Sequence, residues 1–147
     1  MHNLEPIEQL ASEETGLAVV ATTRADGTVQ ASVVNAGVLP HPVSDELVVG
    51  FVTRGGSLKQ RNLRQRPACT LTFRRGWRWA TVEGDAQLVG PDDPVQGIDG
   101  EQLTGLLRAI FRSAGGTHDD WEEYDRVMAE ERRTAVLVRP HRVYGSS

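Results

Sequence analysis

The sequence predicts an α+β, mainly β fold: a small closed or half-closed barrel of six to seven antiparallel strands with peripheral helices. Three observations carry this expectation. Strand-length runs rich in β-branched residues recur along the chain, an Asp26-Gly27 pair joins the first two, and helical spacing is confined to short stretches around them. No internal repeat or long linker breaks the 147 residues, so one domain is expected over 1–147.

The elements follow in order. Leu4, Ile7, Leu10 and Ala11 recur at helical spacing after Asn3, with Gly16 as the stop, giving a short amphipathic helix. LAVVATT at 17–23 and TVQASVV at 28–34 are strands joined by the Ala25-Asp26-Gly27 turn. Pro40, His41 and Pro42 interrupt before a third strand, LVVGFVT at 47–53. A helix over 58–65 ends before Pro67, since proline disfavours helix in the residue that precedes it. ACTLTF at 68–73 and WATVEGDAQLV at 79–89 supply two more strands, and Pro91 and Pro94 mark a loop. Leu103, Leu106, Leu107, Ile110 and Phe111 form a helical stripe expected on the outside of the sheet. Thr117 with Asp120 reads as a capping box for a helix carrying Trp121, Tyr124 and Met128 on one face. TAVLVR at 134–139 and a terminal piece around 142–145 close the sheet.

Composition narrows the function classes. Hydrophobic residues at 39% and charged residues at 24% are ordinary for a globular chain and argue against disorder. Cys69 is the only cysteine, which excludes a disulfide-rich scaffold. No apolar run approaches the roughly 20 residues that cross a bilayer. The acidic start MHNLEPIEQLASEE lacks a basic-then-apolar leader pattern, so a cytoplasmic address without a membrane partner is expected.

Charge is unevenly spread. Residues 47–82 hold eight of the 16 Lys+Arg (Arg54, Lys59, Arg61, Arg64, Arg66, Arg74, Arg75 and Arg78) and none of the 20 Asp+Glu. A basic island on a chain of net charge −4 is either a solvated face or the seat of a local anionic ligand. No aromatic residue is interleaved with the cations of 54–66, which argues against an RNA surface and against nucleic acid as partner.

FVTRGGSLKQRNLRQRP at 51–67 concentrates the candidate chemistry. A strand ends at Thr53, two glycines turn the chain, and Ser57 with Gln60 forms a capping box at a helix start. First-turn N–H groups and the helix dipole favour an anion there. Lys59 (the only lysine) and Arg61 lie within that turn, and Asn62 adds amide donors. The segment reads as a phosphate site or as a plain capped surface helix. It is not a Walker loop, because G-x-x-x-x-G-K-[ST] is absent.

Elsewhere the residues read as structure. His2, His41, His118 and His141 lack metal-ligand spacing, and one cysteine builds no zinc site, so no metal is expected. Cys69 alternates with Leu71 and Phe73 as a core residue, and the acids at 119–120 and 122–123 complement a helix dipole. Trp77 and Trp79, two apart on a strand, face one side for packing or for stacking on a bound ring. No nucleophile or general base stands out, so no catalytic side chain is named.

Thr53-Arg54-x-x-Ser57-x-Lys59-x-x-Asn62-Leu63-x-x-x-Pro67 after a strand resembles the phosphate-binding segment of the pyridoxamine 5′-phosphate oxidase-like split-barrel proteins. Gly76-Trp77-x-Trp79-Ala80-x-Val82-Glu83-Gly84 is similar to the fifth-strand signature of that family's deazaflavin-dependent branch. The run His118-x-Asp120-Trp121-x-x-Tyr124-x-x-x-Met128, then Arg132-Arg133 and Val143-Tyr144-Gly145, resembles the same branch. The resemblance spans essentially the whole chain. It implies a split β-barrel homodimer with two cofactor clefts at the subunit interface, binding coenzyme F420 or, in related branches, FMN.

Residue by residue, the resemblance assigns Ser57, Lys59, Arg61 and Asn62 to the cofactor phosphate, with Thr53 and Arg54 beginning the segment and Arg54 offset from the most similar pattern. It sets the backbone of Ser32, Val33, Val34 and Asn35 beside the ring, and brings Trp77 and Trp79 near the cleft from the partner subunit. Lys59 is expected to be exposed when the cleft is empty. The Arg-x-x-x-x-Trp-Gln-type segment with which pyridoxamine phosphate oxidases grip substrate is not found in RPHRVYGSS, which disfavours that reaction. The implied activity is hydride transfer from reduced F420 to an activated double bond in a small organic substrate. An FMN-dependent reductase or a non-catalytic F420 carrier or sensor stands as the alternative.

Overall fold

The Asp26-Gly27 pair turns the chain as its chemistry dictates. In the computed structural model, which describes residues 2–146, Gly27 takes φ 86° and the Asp26 carboxylate accepts from the Thr28 backbone N–H at 3.0 Å. Strands β1 (Leu17–Thr23) and β2 (Val29–Pro40) leave this turn antiparallel. β2 runs well beyond the expected 28–34, because its second half pairs with β3 (Leu47–Thr53). Gly37 makes the continuation possible: a Cβ there would lie 2.4 Å from the Ser113 backbone of a helix crossing over it.

β4 (Ala68–Arg75), β5 (Arg78–Val89) and β6 (Thr134–Gly145) complete a closed antiparallel barrel in the order β1-β2-β3-β6-β5-β4. Among the described residues the strands number six, because the two C-terminal pieces are one. β6 survives Pro140 by a bulge: Gly84 faces Pro140 and Glu83 faces Arg142, leaving His141 as the extra residue. Trp77 departs from expectation. It sits in the two-residue turn after Gly76, whose φ is 61°, while Trp79 lies within β5, so the two do not share a strand face.

Alternation fills the barrel. Val20, Val49, Phe51, Leu71, Phe73, Val82, Val136 and Val138 are buried inside it, with Cys69 among them. Helix α1 (Glu5–Glu13) adds Leu4, Ile7, Leu10 and Ala11 to that cluster, and α2 (Leu58–Gln65) adds Leu63. Each such aliphatic or aromatic side chain contributes roughly 1.5–3 kcal/mol by leaving water.

Helices α3 (Gly100–Ser113) and α4 (Trp121–Glu130) pack outside, as the stripe of 103–111 predicted. Leu106, Leu107, Ile110 and Tyr124 form a second cluster with Leu39, Val48, Val89, Ala135 and Leu137 of the strands. Asp99 and Gln102 make a reciprocal capping box on α3. The α4 cap is Asp120, accepting from the Glu123 N–H at 3.1 Å, and not Thr117. No helix among the described residues is long and apolar enough to cross a membrane.

Candidate functional site

β3 ends at Thr53, and Gly55-Gly56 turn the chain into α2, with Gly56 at φ 80°. Ser57 caps the helix as its sequence predicted: Oγ accepts from the Gln60 N–H at 3.2 Å and lies 2.8 Å from Thr53 Oγ1. Lys59 differs from expectation. Its side chain is half-buried, and Nζ reaches from the helix start to donate to Ser32 Oγ of β2 at 3.0 Å.

A cleft of about 530 Å³ opens above this turn. Thr53, Arg54, Ser57, Lys59 and Arg133 make its polar end, and Val33, Val34 and Asn35 of β2 form one side. Ile110, Phe111, Ala114, Tyr124 and Met128 of α3 and α4 form the apolar wall opposite. The Tyr124 hydroxyl donates to Leu107 O at 3.1 Å, so the phenol is tied into the helix pair. Burial pushes its pKa up, keeping it neutral.

Electrostatics differ between the three cations of the cleft. Arg54 donates to Glu131 Oε2 at 2.9 Å and Arg133 to Glu131 Oε1 at 2.8 Å. Hydrogen bonding to Arg133, followed by the charges of both arginines, holds the Glu131 carboxyl below the ordinary range. Lys59 takes part in no ion pair among the described residues; its recorded partner is a hydroxyl. Charge-assisted hydrogen bonds of an ammonium are stronger than neutral ones, so the Lys59–Ser32 bond leaves the cation less well compensated than Arg54 and Arg133 are by Glu131.

The structure therefore brings Val33, Val34, Asn35, Thr53, Arg54, Ser57 and Lys59 to one cleft, with Ser32 joined to it through Lys59. Arg61 is exposed on α2 outside it. Asn62 is buried and donates from Nδ2 to Thr22 Oγ1 at 3.1 Å, which ties α2 to β1. Trp77 is 96% exposed, and Trp79 stacks edge-on against Tyr144, with ring centroids 6.1 Å apart; neither lines this cleft in the protomer.

Sequence reading missed Arg133 and the wall of Phe111, Tyr124 and Met128 as site residues. Phe111, Tyr124 and Met128 carried a signal, since they belong to the apolar helix faces packed on the barrel, whereas Arg133 lies in the turn between α4 and β6 and carried none. Among the described residues, no group of three or more His, Cys, Asp and Glu could hold a metal ion.

The same barrel is found in solved structures. An F420 reductase superposes with TM-score 0.63 at 21% identity, over 95% of this chain and 97% of that one. Conserved hypothetical protein Rv2991 from Mycobacterium tuberculosis gives TM-score 0.67 at 18% identity, over 99% and 84% of the two chains. General Stress Protein 26 from Bacillus anthracis str. Sterne gives 0.58 at 16% identity, over 99% and 94%. At these identities the likeness is one of fold. The family described as pyridoxamine 5′-phosphate oxidase matches residues 7–146, spanning the barrel, both outer helices and the whole cleft, and the chain therefore belongs to that family.

Proposed function

We propose that this chain is an F420-binding oxidoreductase whose cofactor phosphate sits at the Ser57–Lys59 end of the cleft. The observation that carries the reading is Lys59, half-buried and without a carboxylate partner among the described residues, at the polar end of a cleft whose far wall is apolar. A ligand with an anionic end and a flat apolar ring fits that division. When bound, the deazaflavin supplies a hydride to an activated double bond in a small organic substrate.

The chain's own residues bind, orient and exclude water. Lys59 and the Ser57 helix start hold the phosphate, Arg54 and Arg133 add positive charge at the mouth, and the exposed Arg61 adds more from outside. Asn62 serves by keeping α2 on β1 through Thr22. The backbone of Ser32–Asn35 would lie along the ring, and Phe111, Tyr124 and Met128, which line the opposite wall of the cleft, would keep water from its other side. Cys69, the only cysteine, is buried, which suits a reducing cytoplasm.

A homodimer belongs to this reading. Leu17, Val19 and Val33 leave 42%, 48% and 64% of their surface exposed on the outer face of β1 and β2, and Val33 also borders the cleft. A second copy on that face would bury it and wall the cleft, with Trp77 and Trp79 reaching the partner's site. The F420 reductase of the same fold lends the cofactor choice support. FMN is the second reading, because the polar end suits any phosphate-bearing flavin.

Fluorescence titration of purified protein with F420 and FMN side by side tests the proposal. Micromolar or tighter F420 binding with negligible FMN binding is expected. The reverse selects the flavin reading, and binding of neither overturns both. Reoxidation of reduced F420 by a panel of enones or quinones is expected for a reductase; its absence would leave a carrier.

A further inference from the structure

We infer that Gln60 is the positioning residue of the anion-binding turn, selecting which backbone N–H groups the turn offers to a phosphate. The inference rests on the cofactor reading above. Gln60 is 1% exposed, although it is a polar residue in the first turn of a helix that borders an open cleft. Burying a carboxamide is unfavourable unless its donors and acceptor are all used, and here they are.

Gln60 Oε1 accepts from the Gly56 N–H at 2.6 Å. Its Nε2 donates to Asp93 Oδ2 at 2.8 Å and to Thr134 Oγ1 at 3.2 Å. Asp93 is itself gripped by Arg64, whose Nε and Nη2 each donate at 2.8 Å. A continuous chain of bonds thus runs from Arg64 through Asp93 and Gln60 to the Gly56 peptide.

The register of this cap is the informative feature. In an ordinary capping box the residue at Gln60 would accept from the N–H of Ser57 itself. That N–H is already given to Arg54 O at 3.1 Å, so Gln60 reaches one residue further back. The Gly55 N–H goes to Glu131 O at 3.1 Å, and the Gln60 N–H goes to Ser57 Oγ. Leu58 and Lys59 are left as the N–H groups of the turn without an acceptor among the described residues. They flank the turn whose Ser57 and Lys59 line the cleft. Gln60 withholds Gly56 from the ligand and holds the turn so that Leu58 and Lys59 face it.

Two measurements test this. In amide NMR of the wild-type protein, the Gly56 amide should be protected from exchange, and titration with FMN or F420 should shift Leu58 and Lys59 while leaving Gly56 protected. The second uses ligand pairs with and without phosphate: FMN against riboflavin, and F420 against its deazaflavin lacking the phosphate-bearing tail. Gln60→Met should lower the preference for the phosphorylated member at least tenfold, with affinity for the unphosphorylated member within about twofold.

Wild-type preference in Gln60→Met, or a Gly56 amide that exchanges freely or moves first on titration, would overturn the positioning role and leave the cofactor reading standing. Should Gln60→Met fail to fold, the wild-type NMR result decides. A wild-type protein that binds both members of each pair equally overturns the phosphate site and this inference with it.

Discussion

Lys59 and Arg61 are two positions apart on one helix and face different surroundings. Lys59 reaches across to Ser32 on β2, whereas Arg61 projects into solvent. A charge-assisted bond from Lys59 to a phosphate contributes roughly 1.5–3 kcal/mol. Lys59→Ala is therefore expected to weaken F420 binding about ten- to hundredfold, with Arg recovering only part, since its planar fork does not reproduce a point charge. The lost bond to Ser32 should lower stability by about 1 kcal/mol, because it is a single partly buried bond. Titration together with denaturant melts checks both, and wild-type affinity in the variant would remove Lys59 from the site. Cys69 shows the opposite outcome for a reactive residue type. Burial in the barrel pushes its thiol up to about 12, so it serves as packing and not as a nucleophile.

Helix α2 illustrates how a short element is made rigid by partners distant in sequence. Its eight residues are too few to stand alone in water. Leu63 enters the barrel core, Asn62 bonds Thr22, and Arg64 with Gln60 fastens the helix to Asp93 in the loop before α3. The Arg64 guanidinium, then the Gln60 amide, hold the Asp93 carboxyl below its ordinary range. A depressed native pKa adds stability that is present above the unfolded value, near pH 4, and is lost as pH falls through the native one. Wild type should accordingly melt higher than Asp93→Asn at pH 7, with the gap narrowing by pH 3. Thermal melts at matched ionic strength measure the gap, and an unchanged gap would show that Asp93 stays unpaired in solution.

At the scale of the whole molecule, the barrel hides its interior but leaves apolar side chains exposed on one outer face. Val19 stands opposite Val33 on one side and Thr72 on the other, in the middle of the exposed β2-β1-β4 surface. Light scattering at micromolar concentration should give twice the 16.1 kDa chain mass. Val19→Glu should give a monomer and weaken F420 binding, because the cleft loses a wall while the barrel interior is untouched. A monomeric wild type that still binds cofactor tightly would overturn the shared cleft.

Much of this was legible in the residues themselves. Local chemistry determined the Asp26-Gly27 hairpin, the period-two strands, the Ser57 cap and the apolar stripe of 103–111, since each depends on neighbours within a few positions. The coincidence of Ser57, Lys59 and the Val33–Asn35 strand at one site was legible only through resemblance to a family. Other features needed the tertiary structure. Whether β6 would break at Pro140 depended on a bulge facing Gly84, and Trp77 fell in a turn because Arg75 pairs with Arg78. Gln60, Asn62 and Arg133 acquire their roles from Asp93, Thr22 and Glu131, partners that the linear order does not identify. Side-chain periodicity records which face is apolar; only closure of the barrel decides which polar group on that face meets another, and so which cations are paired with a carboxylate and which are not.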